Sequence, residues 1–119
     1  MIKEANVTLI VSDMERAVQF YVDKLGLKLK ARYGNEFAQV QCPGLTVALH
    51  PSNERLRTGK SESMSVGFGV EDLGEAIQAL RSKGIVFRRI VDDGPVKLAH
   101  FKDPDGNPLY LAQVQRWEK

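Results

Sequence analysis

The segment Val11-Ser-Asp-Met-Glu-Arg-Ala-Val-Gln19 returns, without a gap, as Val70-Glu-Asp-Leu-Gly-Glu-Ala-Ile-Gln78, at a constant offset in numbering. A period of this kind indicates a fold made of two similar supersecondary units. A chain of 119 residues is long enough for one hydrophobic core but too short for two independent ones. We therefore predict one domain that contains the unit twice.

Each copy of the repeat predicts one amphipathic helix. Apolar residues recur at the i, i+3, i+4 and i+7 spacing that places them along one side of a helix. The residues are Met14, Ala17, Val18, Tyr21, Val22 and Leu25 in the first copy and Leu73, Ala76, Ile77 and Leu80 in the second. This spacing predicts that each helix buries one side.

Both predicted helices carry start and stop signals. Ser12 and Asp72 each stand three residues before a glutamate, which is the spacing of a capping box, so we expect these two residues to be the N-caps. Gly26 and Gly84 follow the last apolar position, where a glycine can end a helix in the left-handed conformation.

Strand-like segments separated by turn residues predict one strand before each helix and three after it. The predicted strands are residues 6–11, 27–33, 36–42 and 45–50 in the first copy and residues 65–70, 85–91, 96–102 and 109–114 in the second. The polar residues 51–62 are the expected connector between module 1, residues 1–50, and module 2, residues 63–119. The predicted fold is α+β, with two βαβββ modules forming a curved mixed sheet around a cup and the helices on its outer face.

The two faces of the predicted strands differ in character. Successive strand residues point to opposite faces, and the large aliphatic residues of the first and last strand of each module fall on one set of positions. The other set is small or polar, as in Thr8, Ala48, Gly67 and Gly69. Such a face suggests a concave ligand surface in which the two glycines leave room. The alternative is that the glycines only permit the strand to bend.

Composition and charge narrow the classes of function. The net charge is +2 and the basic residues are mixed with acids, which argues against a nucleic-acid partner. No segment has the length and apolar character of a signal peptide or a membrane span, so we expect a cytoplasmic protein with no membrane partner. Cys42 is the single cysteine, and we expect a small, buried or half-buried apolar residue rather than a nucleophile.

Two motifs stand out beyond the repeat itself. They are Val11-Ser-Asp-Met-Glu-Arg-Ala-Val-Gln-Phe-Tyr-Val-Asp-Lys-Leu-Gly-Leu27, partly echoed at residues 70–85, and Phe101-Lys-Asp-Pro-Asp-Gly-Asn-Pro-Leu-Tyr-Leu111. Through them nearly the whole chain resembles the vicinal oxygen chelate superfamily, which includes glyoxalase I, extradiol dioxygenases, and the fosfomycin- and bleomycin-resistance proteins. The resemblance implies a small-molecule ligand and a homodimer with cups between paired modules, but it does not identify a reaction.

The resemblance also implies four positions at which enzymes of the superfamily hold a divalent metal. In this chain those positions are Asn6, Ala48, Ser65 and Tyr110. Amide and hydroxyl oxygens are weak neutral ligands, alanine has no donor, and a tyrosine must first lose a proton with a pKa of about 10. Zinc and nickel prefer imidazole, thiolate or carboxylate ligands. We therefore expect no metal and no other cofactor.

Two histidines leave alternatives open. His50 lies on the same predicted face as Ala48, where it could belong to a displaced metal site, bind a ligand or act as a general base. His100 precedes the Asp103-Pro-Asp-Gly106 segment, and the face it occupies is not determined by the pattern. The two acids of that segment are expected to shape a turn rather than to catalyse.

The remaining polar and aromatic candidates each have two possible roles. Tyr110 is either a ligand-facing aromatic residue or a core tyrosine. Arg88, Arg89 and Lys97 could attract an acidic ligand, although solvated strand positions are the ordinary role of such residues. Trp117 could lie at a subunit interface or at a frayed end.

Three functions are compatible with these features. The leading hypothesis is a metal-free protein that sequesters or carries a small organic ligand, with a predicted ligand-binding set of Asn6, Thr8, Ala48, His50, Ser65, Gly67 and Tyr110. The second is a lyase, isomerase or dioxygenase-like enzyme that uses a displaced metal site or His50 as base. The third is an accessory module with a vestigial cup. Bleomycin is cationic and the chain is slightly basic, which favours another ligand.

Overall fold

The computed structural model describes residues 1–58, 63–92 and 94–113. The elements are β1 (Val7–Val11), α1 (Met14–Val18) continued by a π-helical segment (Gln19–Lys24), β2 (Lys28–Tyr33), β3 (Phe37–Cys42), β4 (Leu45–Pro51), β5 (Val66–Val70), α2 (Leu73–Ser82), β6 (Arg89–Val91), β7 (Leu98–Lys102) and β8 (Pro108–Gln113). This order confirms the βαβββ unit twice. No helix in the described residues is long and apolar enough to cross a membrane.

The strands form two four-stranded mixed sheets, which confirms the α+β class. Their orders are β1-β4-β3-β2 and β5-β8-β7-β6. In each sheet the first strand of the unit pairs in parallel with the last, and the remaining pairs are antiparallel. The chain divides into two compact units, Met1–Lys60 with Asp103–Asn107, and Ser61–Lys102 with Pro108–Lys119. The organisation as one domain with a connector stays a prediction, and residues 59–62 of that connector lie outside the described residues.

Each sheet buries its aliphatic face against its own helix, as the alternation predicted. Helix α1 contacts β3 and β4, and α2 contacts β7 and β8. The buried strand residues on these faces are Val11, Ala38, Val40, Val47, Leu49, Val66, Ala99, Phe101, Leu109 and Leu111. Burying one large side chain of this kind stabilises a fold by about 1.5–3 kcal/mol. The helix-side face of each sheet is therefore its hydrophobic side.

The first helix begins one residue later than its capping-box spacing predicted. Asp13, not Ser12, has the extended backbone of an N-cap, and its side chain accepts a 3.0 Å hydrogen bond from the backbone N–H of Arg16. Asp72 caps α2 in the same way, as predicted. The hydroxyl of Ser12 instead donates to Asp105 Oδ1 at 2.6 Å. The two observed caps, Asp13 and Asp72, occupy equivalent positions of the repeat.

The first helix also contains one residue more than the second. Its closing glycine, Gly26, has φ 79°, and the corresponding Gly84 has φ 90°. The path from Asp13 to Gly26 is longer by a single residue than the path from Asp72 to Gly84. The additional residue is accommodated in the π-helical segment, where the backbone N–H of Leu25 bonds to the carbonyl of Phe20, five residues earlier, at 3.0 Å.

Several predicted strands are longer than the observed ones. The largest difference is β6, predicted over residues 85–91 and observed at Arg89–Val91. The ladder with β7 begins only at Arg89, and Ile85 is buried just after α2 while Val86 is exposed. Of the predicted last strand, residue 114 lies outside the described residues, as does Trp117.

Candidate functional site

The open face of the second sheet, meaning the side away from α2, carries an aligned row of candidate site residues. Gly67 on β5 is in register with Tyr110 on β8, and Tyr110 is in register with His100 on β7. Registered residues on neighbouring strands share a face. The rings of His100 and Tyr110 lie 5.8 Å apart between centroids. The structure thus resolves the face of His100, which the sequence left open, and places it beside Tyr110.

Gly67 leaves room for the ring of Tyr110. A Cβ built at this position would fall on the outer end of the Tyr110 ring, against Cζ and the hydroxyl oxygen. The phenol therefore extends from β8 across β5, and the room at Gly67 is occupied by that ring. Since Tyr110 is half-buried on the face away from α2, it is not a residue of the helix-side core.

The first sheet has an equivalent row with smaller side chains. Thr8 on β1 is in register with Ala48 on β4, and Ala48 is in register with Gln39 on β3. Ala48 therefore occupies the place in the first unit that Tyr110 occupies in the second. Thr8 is exposed and Ala48 is buried. The open face of the first sheet therefore carries the hydroxyl group of Thr8 and the amide group of Gln39 on either side of the methyl group of Ala48.

His50 lies on the same open face, two residues beyond Ala48. Its Nδ1 is 2.9 Å from the carbonyl oxygen of Pro51. A carbonyl oxygen only accepts hydrogen bonds, so Nδ1 carries the hydrogen and Nε2 of the neutral ring keeps its lone pair. The ring is half-buried. His50 can therefore accept a hydrogen bond or a proton at Nε2.

The residues at the four inferred metal positions do not fit a divalent metal. Asn6 and Ser65 are exposed and stand one residue before β1 and β5, where they supply neutral oxygens only. Ala48 has no donor atom, and Tyr110 would have to be ionised. Within the described ranges, no group of three or more His, Cys, Asp or Glu residues could hold a metal.

The acidic turn after β7 is confirmed as a structural element. Asp103 Oδ1 accepts hydrogen bonds from the backbone N–H groups of Asp105 and Asn107, at 2.9 and 2.8 Å. Asp103 Oδ2 accepts from Asn107 Nδ2 and from the Tyr21 hydroxyl. Burial, and then the charge of Asp103, raise the pKa of Tyr21 well above its ordinary value. The Tyr21 contact was not predicted from the sequence, since only helical spacing marked that residue.

Two arginines and two lysines lie on or next to β6 and β7. Arg89 is in register with His100 and therefore shares its face, whereas Arg88 lies just before β6. Lys97 forms a salt bridge with Asp92, with 3.5 Å between Lys97 Nζ and Asp92 Oδ1. Lys102 was not predicted as a site residue. It lies two residues beyond His100 on β7, so strand alternation places it on the open face.

Comparison with known proteins assigns the chain to a family. The model of the Glyoxalase/Bleomycin resistance protein/Dioxygenase superfamily matches residues 5–111. "Glutathione transferase FosA" of Serratia marcescens is 32% identical over 111 residues, covering 89% of this chain and 77% of that protein.

Two solved structures agree with this assignment. A member of the same superfamily from Sphaerobacter thermophilus is 28% identical with a TM-score of 0.76, covering 96% of this chain and 98% of that one. TnmS3, described as an antibiotic binding protein from Streptomyces sp. CB03234, is 25% identical with a TM-score of 0.73, covering 97% and 100%. This chain belongs to the Glyoxalase/Bleomycin resistance protein/Dioxygenase superfamily.

Proposed function

We propose that this protein binds a small organic molecule without a metal ion and thereby sequesters or carries it. The observation that carries the proposal is the chemistry of Asn6, Ala48, Ser65 and Tyr110, which provide no imidazole, thiolate or carboxylate where the superfamily's enzymes are expected to hold their metal. A chain with this fold but without these metal ligands can still bind an organic molecule on its sheet faces. It would lack the metal ion that acts as a Lewis acid in such enzymes.

The open faces of the two sheets are the proposed binding surfaces. They combine aromatic, small and polar side chains, which suits recognition of an organic molecule by contact area together with a few hydrogen bonds. The proposed ligand-binding residues are Asn6, Thr8, Ala48 and His50 on the first unit and Ser65, Gly67 and Tyr110 on the second. The similarity to TnmS3, whose name describes antibiotic binding, supports a binding role.

The proposal is tested by measuring metal content and bound small molecules on one sample of untagged protein. Inductively coupled plasma mass spectrometry should find less than stoichiometric zinc, nickel, iron and manganese. Native mass spectrometry, followed by denaturation and analysis of what is released, should find an organic molecule bound to the folded chain. A stoichiometric divalent metal in protein purified without added metal would contradict the proposal.

An enzymatic role is the second candidate, and the geometry of His50 favours it. With Nδ1 donating to the carbonyl of Pro51, Nε2 is in the form required of a general base. The relationship to a protein named as a transferase is compatible with such chemistry. On this proposal, His50→Gln should abolish turnover of a substrate that the variant still binds. Unchanged turnover in His50→Gln would remove His50 from the mechanism.

We also propose that the protein is a cytoplasmic homodimer. Members of the superfamily that resemble this chain in length generally pair their modules between subunits. Sedimentation velocity of the full chain should give the mass of two chains. A single species with the mass of one chain would contradict this.

A further inference from the structure

Among the strand residues that the structure describes, the open face of the second sheet carries positive charge and no acid. Register and strand alternation place Arg89, His100 and Lys102 on this face together with Tyr110. The other described strand residues on the face are Gly67, Gly69, Val91, Leu98, Pro108 and Ala112. Because none of these is acidic, the local field attracts anions.

The two full cations are close enough to act together. Arg89 is directly opposite His100 across the β6–β7 pair, and Lys102 is two residues further along β7. Diagonal neighbours on paired strands lie about 7–8 Å apart, a separation that long side chains span easily. Arg89 and Lys102 are both exposed, and among the described residues neither has an acidic partner. Both charges are therefore available to one anionic group.

An aromatic surface lies next to these charges. The His100 and Tyr110 rings are inclined at 43° to each other, and the Tyr110 ring extends across the strand at Gly67. Both residues are half-buried, so each ring presents part of its surface to solvent. An aromatic ring packed against such a surface gains more than its buried area alone, by roughly 0.5–1.5 kcal/mol for each well-placed pair.

We infer that this face binds an aromatic carboxylate, whose ring packs on Tyr110 and His100 and whose carboxylate pairs with Arg89 and Lys102. The planar guanidinium of Arg89 matches a carboxylate with two parallel hydrogen bonds, and Lys102 adds a point charge. The inference rests on the proposed function, to which it adds the charge and chemical class of the ligand.

The test compares two probes of matched size on the full chain. 2-Naphthoate carries the carboxylate, and 2-naphthylmethanol is its neutral counterpart. Binding is measured by isothermal titration calorimetry for the wild type, Arg89→Gln, Lys102→Gln, Tyr110→Ala and the control Arg81→Gln. The control removes the same charge from α2, which packs against the opposite face of the sheet. Circular dichroism verifies that every variant is folded.

The expected result is a preference for 2-naphthoate in the wild type and in Arg81→Gln. Arg89→Gln and Lys102→Gln should each weaken 2-naphthoate about fivefold, the effect of one exposed ion pair, and leave 2-naphthylmethanol unchanged. Tyr110→Ala should weaken both probes.

Three outcomes would overturn the inference. They are equal affinity of the wild type for both probes, an effect of Arg81→Gln as large as that of Arg89→Gln, and no binding of either probe. Equal affinity would leave the proposed function standing, because a neutral molecule would still bind. If neither probe binds, the proposed function is decided separately by the molecule that co-purifies with the protein.

Discussion

The Tyr21 hydroxyl donates a 2.7 Å hydrogen bond to Asp103 Oδ2, and both side chains are buried. The two residues are 82 positions apart in the sequence, yet both belong to the first compact unit. Asp103 also accepts bonds from two backbone N–H groups and from the Asn107 amide, so its buried charge is fully hydrogen-bonded. The hydrogen bond therefore ties the turn that begins at Asp103 to Tyr21, a buried residue of the π-helical segment.

Replacement of Tyr21 by phenylalanine should lower the free energy of unfolding. The change keeps the ring but removes one donor to a buried carboxylate, a loss of about 1–3 kcal/mol. Urea denaturation followed by circular dichroism measures it. Tyr33→Phe is the matched control, because Tyr33 is 68% exposed, and its effect should stay within about 0.5 kcal/mol. Equal effects of the two variants would contradict this role of Tyr21.

The same hydroxyl should make stability depend on alkaline pH. The folded pKa of Tyr21 is raised above the unfolded value of 10.0, so its contribution is fully present below that value and is lost as the pH rises toward the folded pKa. The difference in unfolding free energy between wild type and Tyr21→Phe should therefore shrink above about pH 10. A difference that stays constant through this range would show that Tyr21 ionises equally in both states.

Gly67→Ala should displace the Tyr110 ring. The added methyl group would overlap the phenol, and such overpacking typically costs about 1–3 kcal/mol. In the Tyr110→Ala background the same change should cost much less, since the overlapping atoms are gone. A double-mutant cycle in urea measures the coupling between the two positions. Additive effects would mean that Tyr110 does not cover Gly67 in solution.

The corrected N-cap gives a further prediction. Asp13→Ala should destabilise the protein by about 1 kcal/mol, whereas Asp13→Asn keeps an oxygen that can accept the N–H of Arg16 and should stay near the wild type. Asp72→Ala should behave like Asp13→Ala, because α2 is capped in the same way. Thermal unfolding of all three variants measures this. A large effect of Asp13→Asn would point to a role of the charge instead of the cap.

Much of the fold could be predicted because the repeat marks the same order of elements in both halves of the chain. The alternation of apolar residues along the strands marks the buried faces. The element order, the buried faces and the helix ends at Gly26 and Gly84 all follow from spacing. The N-cap of α1 was misplaced because Ser12 and Asp13 are both good capping residues, and the choice depends on the contact of Ser12 with Asp105, which is 93 positions away. The π-helical segment was missed because the apolar spacing of α1 is compatible with an ordinary helix.

The candidate site was less predictable, because it depends on how strands align. Which residue faces Gly67 follows from the register of β5 with β8, and no local pattern specifies that register. The face of His100 likewise required the pairing of β7 with β8. Lys102 could have been found by counting two residues onward once that face was known.

The additional residue of the first helix has a consequence for the strands that follow it. One residue inserted into a strand reverses the faces of all that follow it, and a core facing water does not fold. The π-helical turn absorbs the insertion between Asp13 and Gly26 and passes the chain to β2 without such a reversal. A change of length inside this helix therefore leaves the strand faces unchanged, so the two halves of the chain can differ here and still bury the same side of each sheet.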